Sequence, residues 1–428
     1  MAEPTTKVTM QDLCTRVARE AGIHYNGTSG TSPALPPVNI DDLHAVKDAV
    51  NDGIEMFIND APPAGWQWKK RIMEQTITGT RVTGTADSAS TTTLVDATLS
   101  TTYDADNDLN GWYIYILTGT GAGSFAPITD YTTLTGTCTV ADWLDQYGNA
   151  AGTDPAADST YAITTYETTA GDIGRYPLPE DFSGEVTGKI TYARDASHTQ
   201  RIDLVSESLI RELSHAAPTT AMRPYMAAVR PLEPLTGLGP KRRWELLVYP
   251  DPSGNDTLTF PYAVAFNELD IESGVATSIT AGSYLFADST RNETDDYFNG
   301  WTFKIIDGPG KSESATVSDY TSSTGTFTFT AGTWFTVTPT TASVYIVEPA
   351  NNLHPAGIMF DFAIKSACYA EADINFGLQN GRSDKYHQKD LPLAHQKDAR
   401  TQMHVIRDRS SRRLRQREWN PVTYTPGL

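Results

Sequence analysis

Hydrophobic positions along this chain follow two rhythms. Near the N-terminus, Leu13, Val17 and Ala18 recur at helical spacing behind Thr9, with Asp12 three residues on. That pattern predicts an N-capped helix stopped by Gly22. Asn39 precedes a longer series, Leu43, Val46, Val50, Ile54, Phe57 and Ile58. It predicts a second helix through Asn59, ended by Ala61-Pro62-Pro63. Residues 22–38 between them are polar and rich in proline. The same period returns near the other end, where His354–Phe376 reads as a helix closed by Gly377. A further helical pattern runs from about Ser383 to Arg409, kinked at Pro392.

The intervening chain reads as β and contains a duplication. Asn110-Gly111-Trp112 recurs as Asn299-Gly300-Trp301, Gly119 and Gly121 as Gly308 and Gly310, Asp130-Tyr131 as Asp319-Tyr320, and Thr135-Gly136-Thr137 as Thr324-Gly325-Thr326. All keep one offset of 189 residues, which marks a repeated module. Each copy carries a run of aromatic and β-branched residues, Tyr113–Leu117 or Thr302–Ile306. A glycine turn, a return strand and a second turn follow. The 25 threonines between Thr76 and Thr169 suit exposed strand faces and disfavour helix. Each module is expected to be a small β-barrel or sandwich.

The middle of the chain, 174–270, is mixed. Arg175–Phe182 reads as extended because of its prolines, Val186–Ala193 as a strand, and Glu207–Ser214 as a short helix capped by Ser206. Trp244–Tyr249 and Thr257–Tyr262 flank Asp251-Pro-Ser-Gly254 and read as a hairpin. The fold expected is α+β, with a helical body from both chain ends, a central mixed β region and two inserted β modules. The boundaries read as 1–75 for the N-terminal part of the helical body and 76–170 for the first module. The central region spans 171–270 and the second module 271–350. C-terminal helices occupy 351–410, and an extended basic arm 411–428.

Composition narrows the classes. The longest apolar runs are five or six residues, whereas a membrane-spanning helix needs roughly 20. The N-terminal residues lack the apolar stretch of a secretory signal, so synthesis in a reducing cytoplasm is expected. Three separated cysteines, Cys14, Cys138 and Cys368, suggest neither a disulfide framework nor a zinc site. The net charge of −19 is concentrated in the modules: Ile72–Gly174 carries 13 acidic residues against one basic, and Ile271–Ala350 carries 9 against 3. Such a surface repels duplex DNA and argues against sequence-specific binding to it. The sign reverses at the C-terminus, where Arg407, Arg409, Arg412, Arg413, Arg415 and Arg417 precede Trp419. This run reads as either a solvated helix end or a docking arm. It lacks interleaved stacking aromatics, which favours a protein partner over nucleic acid.

Catalytic signatures are not found. No His-Glu-x-x-His or Gly-x-Ser-x-Gly occurs, and Gly119-x-Gly121-x-Gly123 leads into a strand where a phosphate loop needs a helix. Gly310-Lys311-Ser312 fails the P-loop pattern because Ile305 stands where the first glycine belongs. No cofactor is expected. One acidic turn, with Asp104, Asp106 and Asp108 at alternate positions, could present oxygens to Ca²⁺, but Tyr115 occupies the twelfth position, where a bidentate glutamate belongs. Trp112 and Trp301 read as module core or, alternatively, as sugar-stacking platforms. Trp66 and Trp68, beside Lys69-Lys70-Arg71, read as a partner contact or as a seat for the long helix.

Three stretches together resemble the head-to-tail adaptor (connector or head-completion) proteins of tailed bacteriophages. One is Asp12-Leu…Ala18-x-Glu20 with Ala49-Val-Asn-Asp-Gly-Ile54, Trp66 and Trp68. The second is Tyr176-Pro-Leu-Pro-Glu-Asp-Phe182 with Arg243-Trp-Glu-Leu-Leu-Val-Tyr-Pro250. The third is His354-Pro…Phe362-Ala-Ile…Cys368-x-Ala370-Glu371-Ala372. They cover roughly half the chain, and the duplicated units are similar to modules inserted in phage neck and tail proteins. The resemblance implies a virion neck protein without catalysis, forming a homo-oligomeric ring, typically of twelve subunits. Its implied partners are the portal protein and tail or neck proteins, with genomic DNA passing non-specifically through the channel and no membrane contact. It would assign portal docking to the segment containing Arg407–Trp419. The competing readings are a tail or surface protein whose paired modules bind glycan or another virion protein, and a two-carboxylate polysaccharide hydrolase.

Overall fold

A computed structural model of the chain describes residues 8–27, 29–30, 33–145, 148, 152–193, 201–216, 221–232, 243–280, 285–330 and 336–399. The fold is α+β. Its longer helices are α1 (Met10–Ala21), α2 (Ile40–Asn59), α3 (Glu207–Ala216) and α4 (Asp361–Asn375). The chain divides into two compact units, one of Met1–Trp68 with Phe266–Leu428, the other of Lys69–Ala265. The second module therefore groups with the helices, and the first module with the central sheet.

In the first unit, local signals set the helix ends. The Thr9 hydroxyl accepts from the Asp12 N–H, the Asp12 carboxylate accepts from the Thr9 N–H, and Gly22 closes α1 at φ 76°. The Asn39 side chain accepts from the N–H groups of Asp41 and Asp42 at the start of α2. α4 starts later than its apolar period suggests. Pro355 disfavours helix at His354, and Gly357 takes φ 77°, so a 3₁₀ turn at Ile358–Phe360 precedes Asp361. The last helical stretch opens with Arg382–Lys385, passes through a π-turn at Tyr386–Asp390 and continues over 391–399. The wide turn lies where Pro392 would otherwise collide with the carbonyl four residues back.

These helices share one core from both chain ends, including Leu13, Val17, Val50, Phe57, Phe360 and Ile364. α2 and α4 meet backbone to backbone at Gly53, where a Cβ would lie 2.5 Å from Cys368 Cα. Trp66 is buried between Phe57, Phe360 and His395, and its indole N–H donates to the Ile58 carbonyl at 3.0 Å. Trp66 thus seats the end of the long helix.

The second module fixes its outer face to this core through Ile271, Ile306, Val344 and Ile346. An ion network reinforces the junction. Lys47 on α2 reaches Asp270 and Glu272, each at 2.7 Å, and Glu272 also pairs with the buried Arg291 at 2.9 Å. Burial works against the Lys47 and Arg291 charges, but their acidic partners outweigh it and push both pKa values up.

The two modules have the same strand order. In the first, Arg81–Thr85, Thr160–Thr164, Tyr113–Thr118, Phe125–Thr132, Thr137–Val140, Thr93–Val95 and Ser88–Ala89 are successive neighbours. In the second, the equivalents are Glu272–Val275, Val344–Glu348, Thr302–Asp307, Ser314–Thr321, Thr326–Phe329, Leu285–Ala287 and Ser278–Thr280. One segment closes each barrel: Ala86 N–H donates to Ser159 on one side and Asp87 N–H to Val95 on the other. Register irregularities fall at Ile116/Thr118 and Ile128/Asp130 in one copy and at Ile305/Asp307 and Val317/Asp319 in the other. All four keep the 189-residue offset. The packing differs: Leu94, Leu109, Ile114 and Cys138 in the first core are replaced by Phe286, Phe298, Phe303 and Phe327 in the second.

In the second unit, the central sheet has eight strands. Lys70–Ile77, which crosses the boundary expected at 75 between helical body and first module, is an edge strand hydrogen-bonded along Asp256–Val264. Beyond it come Ile190–Tyr192, Arg201–Leu204, Met226–Pro231, Trp244–Tyr249 and Arg175–Pro177, with Phe182–Val186 also on Asp256–Val264. The expected hairpin between Trp244–Tyr249 and Thr257–Tyr262 does not form. Trp244–Tyr249 pairs with Met226–Pro231 and Arg175–Pro177 instead. Arg201–Leu204 and Met226–Pro231 run parallel, and α3 lies in the connection between them.

Candidate functional site

The acidic turn is part of the module scaffold. Asp106 accepts from the Thr133 N–H at 2.8 Å, and Asp108 accepts from the Ala105 N–H at 3.2 Å. The sibling repeats this arrangement: Asp295 accepts from the Ser322 N–H at 2.8 Å. Asn107 and Asp296, at matching positions, both take positive φ. Among the described residues no three His, Cys, Asp or Glu side chains are grouped to hold a metal ion. Of the Ca²⁺ candidates Asp104, Asp106 and Asp108, the last two thus staple the loop that carries them.

Trp112 and Trp301 are half-buried against their module cores, edge-on to Tyr103 and to Phe298 respectively. Arg407, Arg409, Arg412, Arg413, Arg415, Arg417 and Trp419 lie outside the described residues. The helix that leads toward them is anchored within its unit. His395 Nε2 lies 2.8 Å from the Asp60 carbonyl, the Tyr386 hydroxyl donates to Asp60 at 3.0 Å, and the Asp398 carboxylate accepts from the N–H groups of Gln67 and Trp68. No described helix is long and apolar enough to cross a membrane.

A cavity of about 230 Å³ opens in the second unit, between the first module and the end of the central sheet. Tyr115 and Phe125, on neighbouring module strands, stack with ring centroids 5.5 Å apart and form part of its wall. The chain leaving the module, 165–174, passes over them: Thr168 N–H donates to the Tyr115 hydroxyl at 2.7 Å, and Gly171 packs against Tyr115 and Ala162. Arg175, Pro177, Leu232 and Arg243 complete the other side.

Arg175 is held by Asp172 at 2.9 Å and by Glu245 at 3.2 Å. Arg243 and Glu167 stand 3.8 Å apart, wider than a hydrogen bond. Burial raises the Glu167 pKa, and the Arg243 charge offsets only part of that rise. The Thr169 hydroxyl oxygen is shut off from solvent without a hydrogen-bond partner. Buried hydroxyls are rarely left so.

The sequence named Tyr115, Pro177 and Arg243 for other reasons and did not bring them together. The segments that bring them together are widely separated in the chain. One signal was available: aligning the two modules places Lys304 and Ser314 opposite Tyr115 and Phe125. In the second module Lys304 donates to Gln11 of α1 at 3.2 Å, so that wall serves attachment to the helices. Only the first copy has the aromatic pair. Comparisons with protein-family models, curated proteins and solved structures give no match to the chain.

Proposed function

We propose that the chain is a non-catalytic structural protein of the tailed-phage neck, a head-to-tail adaptor that assembles as a ring beneath the portal. The observation that supports this reading most directly is the single helical core drawn from both chain ends, into which Leu13, Val50, Phe57 and Ile364 all pack. Such a core is a closed platform that tolerates large insertions between its halves, and both β modules are insertions of this kind. The anchored helix over 391–399 continues in sequence into the six-arginine run, whose charge is opposite to that of the modules. A cationic segment rooted on a rigid platform suits docking to an acidic protein surface.

The test is co-assembly with the portal protein of the same virus, comparing the full chain with a variant lacking residues 407–428. The full chain is expected to sediment with portal and to form rings under the electron microscope. The truncated chain is expected to remain folded by circular dichroism and to stay unbound. Equal co-assembly of both forms removes the docking role of Arg407–Trp419. A full chain that never joins portal, or that localises in intact particles away from the head–tail junction, removes the adaptor reading.

A further inference from the structure

We infer that Asn380-Gly381, in the connection between α4 and the last helical stretch, is a site of spontaneous deamidation in the folded protein. Asn-Gly occurs four times in the chain, at Asn26, Asn110, Asn299 and Asn380. In such a dipeptide the glycine nitrogen, on losing its proton to hydroxide, can attack the asparagine Cγ. The bond from Cγ to the side-chain nitrogen breaks, ammonia leaves and a five-membered succinimide forms. Water then opens the ring at either carbonyl and leaves aspartate or isoaspartate. The reaction needs a glycine N–H that is not tied up and an asparagine side chain able to swing onto it, and the fold decides which dipeptides keep both. In the two modules neither group is available. Gly111 N–H donates to the Ile128 carbonyl at 2.8 Å and Gly300 N–H to the Val317 carbonyl at 2.9 Å. The preceding side chains are pinned as well, the Asn110 amide donating to Asn107 at 2.7 Å and the Asn299 amide to Asp296 at 2.8 Å. At the fourth site the Gly381 N–H has no acceptor among the described residues, and a Cβ built on Gly381 would meet nothing within 4 Å, so the nitrogen is open to attack and to water. Asn380 is exposed, and its amide reaches only Glu20, at 3.5 Å. Asn26 is exposed too, but Gly27 is buried, which hinders hydroxide and water. Conversion of Asn380 sets a new carboxylate beside Glu20, which already accepts from Arg382 at 3.0 Å.

This inference is independent of the neck reading and uses none of the residues named for portal docking. Incubation of the full chain at pH 8, with and without denaturing urea, tests it, with all four asparagines followed by proteolytic peptide mapping and mass spectrometry. In the folded chain Asn380 is expected to convert before Asn26 and at least about tenfold faster than Asn110 or Asn299, the factor supplied by one hydrogen bond that must break before the ring closes. In urea that lead is expected to shrink, because every dipeptide then exposes the same reacting groups. Ion exchange of the folded chain is expected to resolve a second form richer by one negative charge. Asn380→Gln, whose longer side chain cannot close a five-membered ring, is expected to keep the parent's circular dichroism and to yield no such form over the same interval. A smaller lead over Asn110 and Asn299, earlier conversion of Asn26, an Asn380 that stays intact, or a lead that persists unchanged in urea and so belongs to the flanking sequence overturns the inference.

Discussion

Replacing Arg291 with leucine tests what the buried charge of the second module contributes. Its guanidinium is 2 % exposed and donates to Glu272 at 2.9 Å, Glu293 at 2.6 Å, the Ser273 carbonyl at 2.7 Å and the Tyr345 hydroxyl at 3.1 Å. The first module shows the apolar alternative. Leu99 stands at the matching position and is buried, and Val82 matches Glu272. Leucine at 291 leaves Glu272 with Lys47 at 2.7 Å and the half-exposed His44 at 3.5 Å. Removing one member of a buried pair typically costs about 3–5 kcal/mol. The remaining Lys47 contact places Arg291→Leu near the lower end, about 3 kcal/mol. Denaturant unfolding of the full chain measures the loss, and hydrogen exchange over 272–275 and 344–348 localises it. The double variant Arg291→Leu with Glu272→Val rebuilds the apolar pair of the first module and is expected to recover at least about half, because apolar replacement of a whole buried pair is often neutral. A single variant within about 1 kcal/mol of the parent, or a double variant weaker than the single, refutes the reasoning.

Three further outcomes are expected. Gly53→Ala improves helix propensity by up to about 1 kcal/mol, but its methyl would collide with the Cys368 backbone. A net destabilisation of about 1–3 kcal/mol should follow in thermal unfolding, and an unchanged midpoint would contradict the close crossing. Burial pushes Cys138 and Cys368 up to about 12 and Cys14 further, so all three thiols should resist a thiol reagent at pH 8 until the chain is denatured. Rapid native labelling of any of them would show that its site opens. Glu293 is pushed up by burial, but Arg291 and the hydrogen bonds to its carboxylate hold its pKa below 4.5. The stability it adds is present above that value and lost as pH falls through the lowered folded value. Glu293→Gln should therefore be less stable than the parent at pH 7, with a gap that closes under acid. A gap independent of pH would assign the loss to packing.

Much of the fold was legible because its signals are local. Thr9, Asp12 and Gly22 bound α1 by satisfying backbone groups within a few residues, and Asn39 does the same for α2. The duplication was visible because turn glycines and buried aromatics recur at one spacing. Long-range pairing was harder to read. Trp244–Tyr249 and Thr257–Tyr262 flank a good turn sequence, yet each finds its hydrogen bonds with other strands, and a turn motif carries no information about those competitors. The bonds within the Asp104 loop were equally out of reach of a local pattern. Alternate carboxylates suit a cation, but Asp106 and Asp108 are taken up by N–H groups, that of Thr133 being 27 residues from Asp106.

By itself, the sequence determined the α+β class, the ends of α1 and α2, the duplication of a β module and the placing of acidic and basic blocks. Each of these depends on spacing or composition within a short window, which is what a linear pattern records. Only the tertiary structure decided which strands pair in the central sheet, that one module fixes its outer face on the helices through Ile306 and Lys304, and that Glu167, Thr169 and Arg243 share a cavity with Tyr115 and Phe125. Those outcomes depend on which surfaces bury one another, and burial is settled by partners distant in sequence whose competing contacts no local window contains.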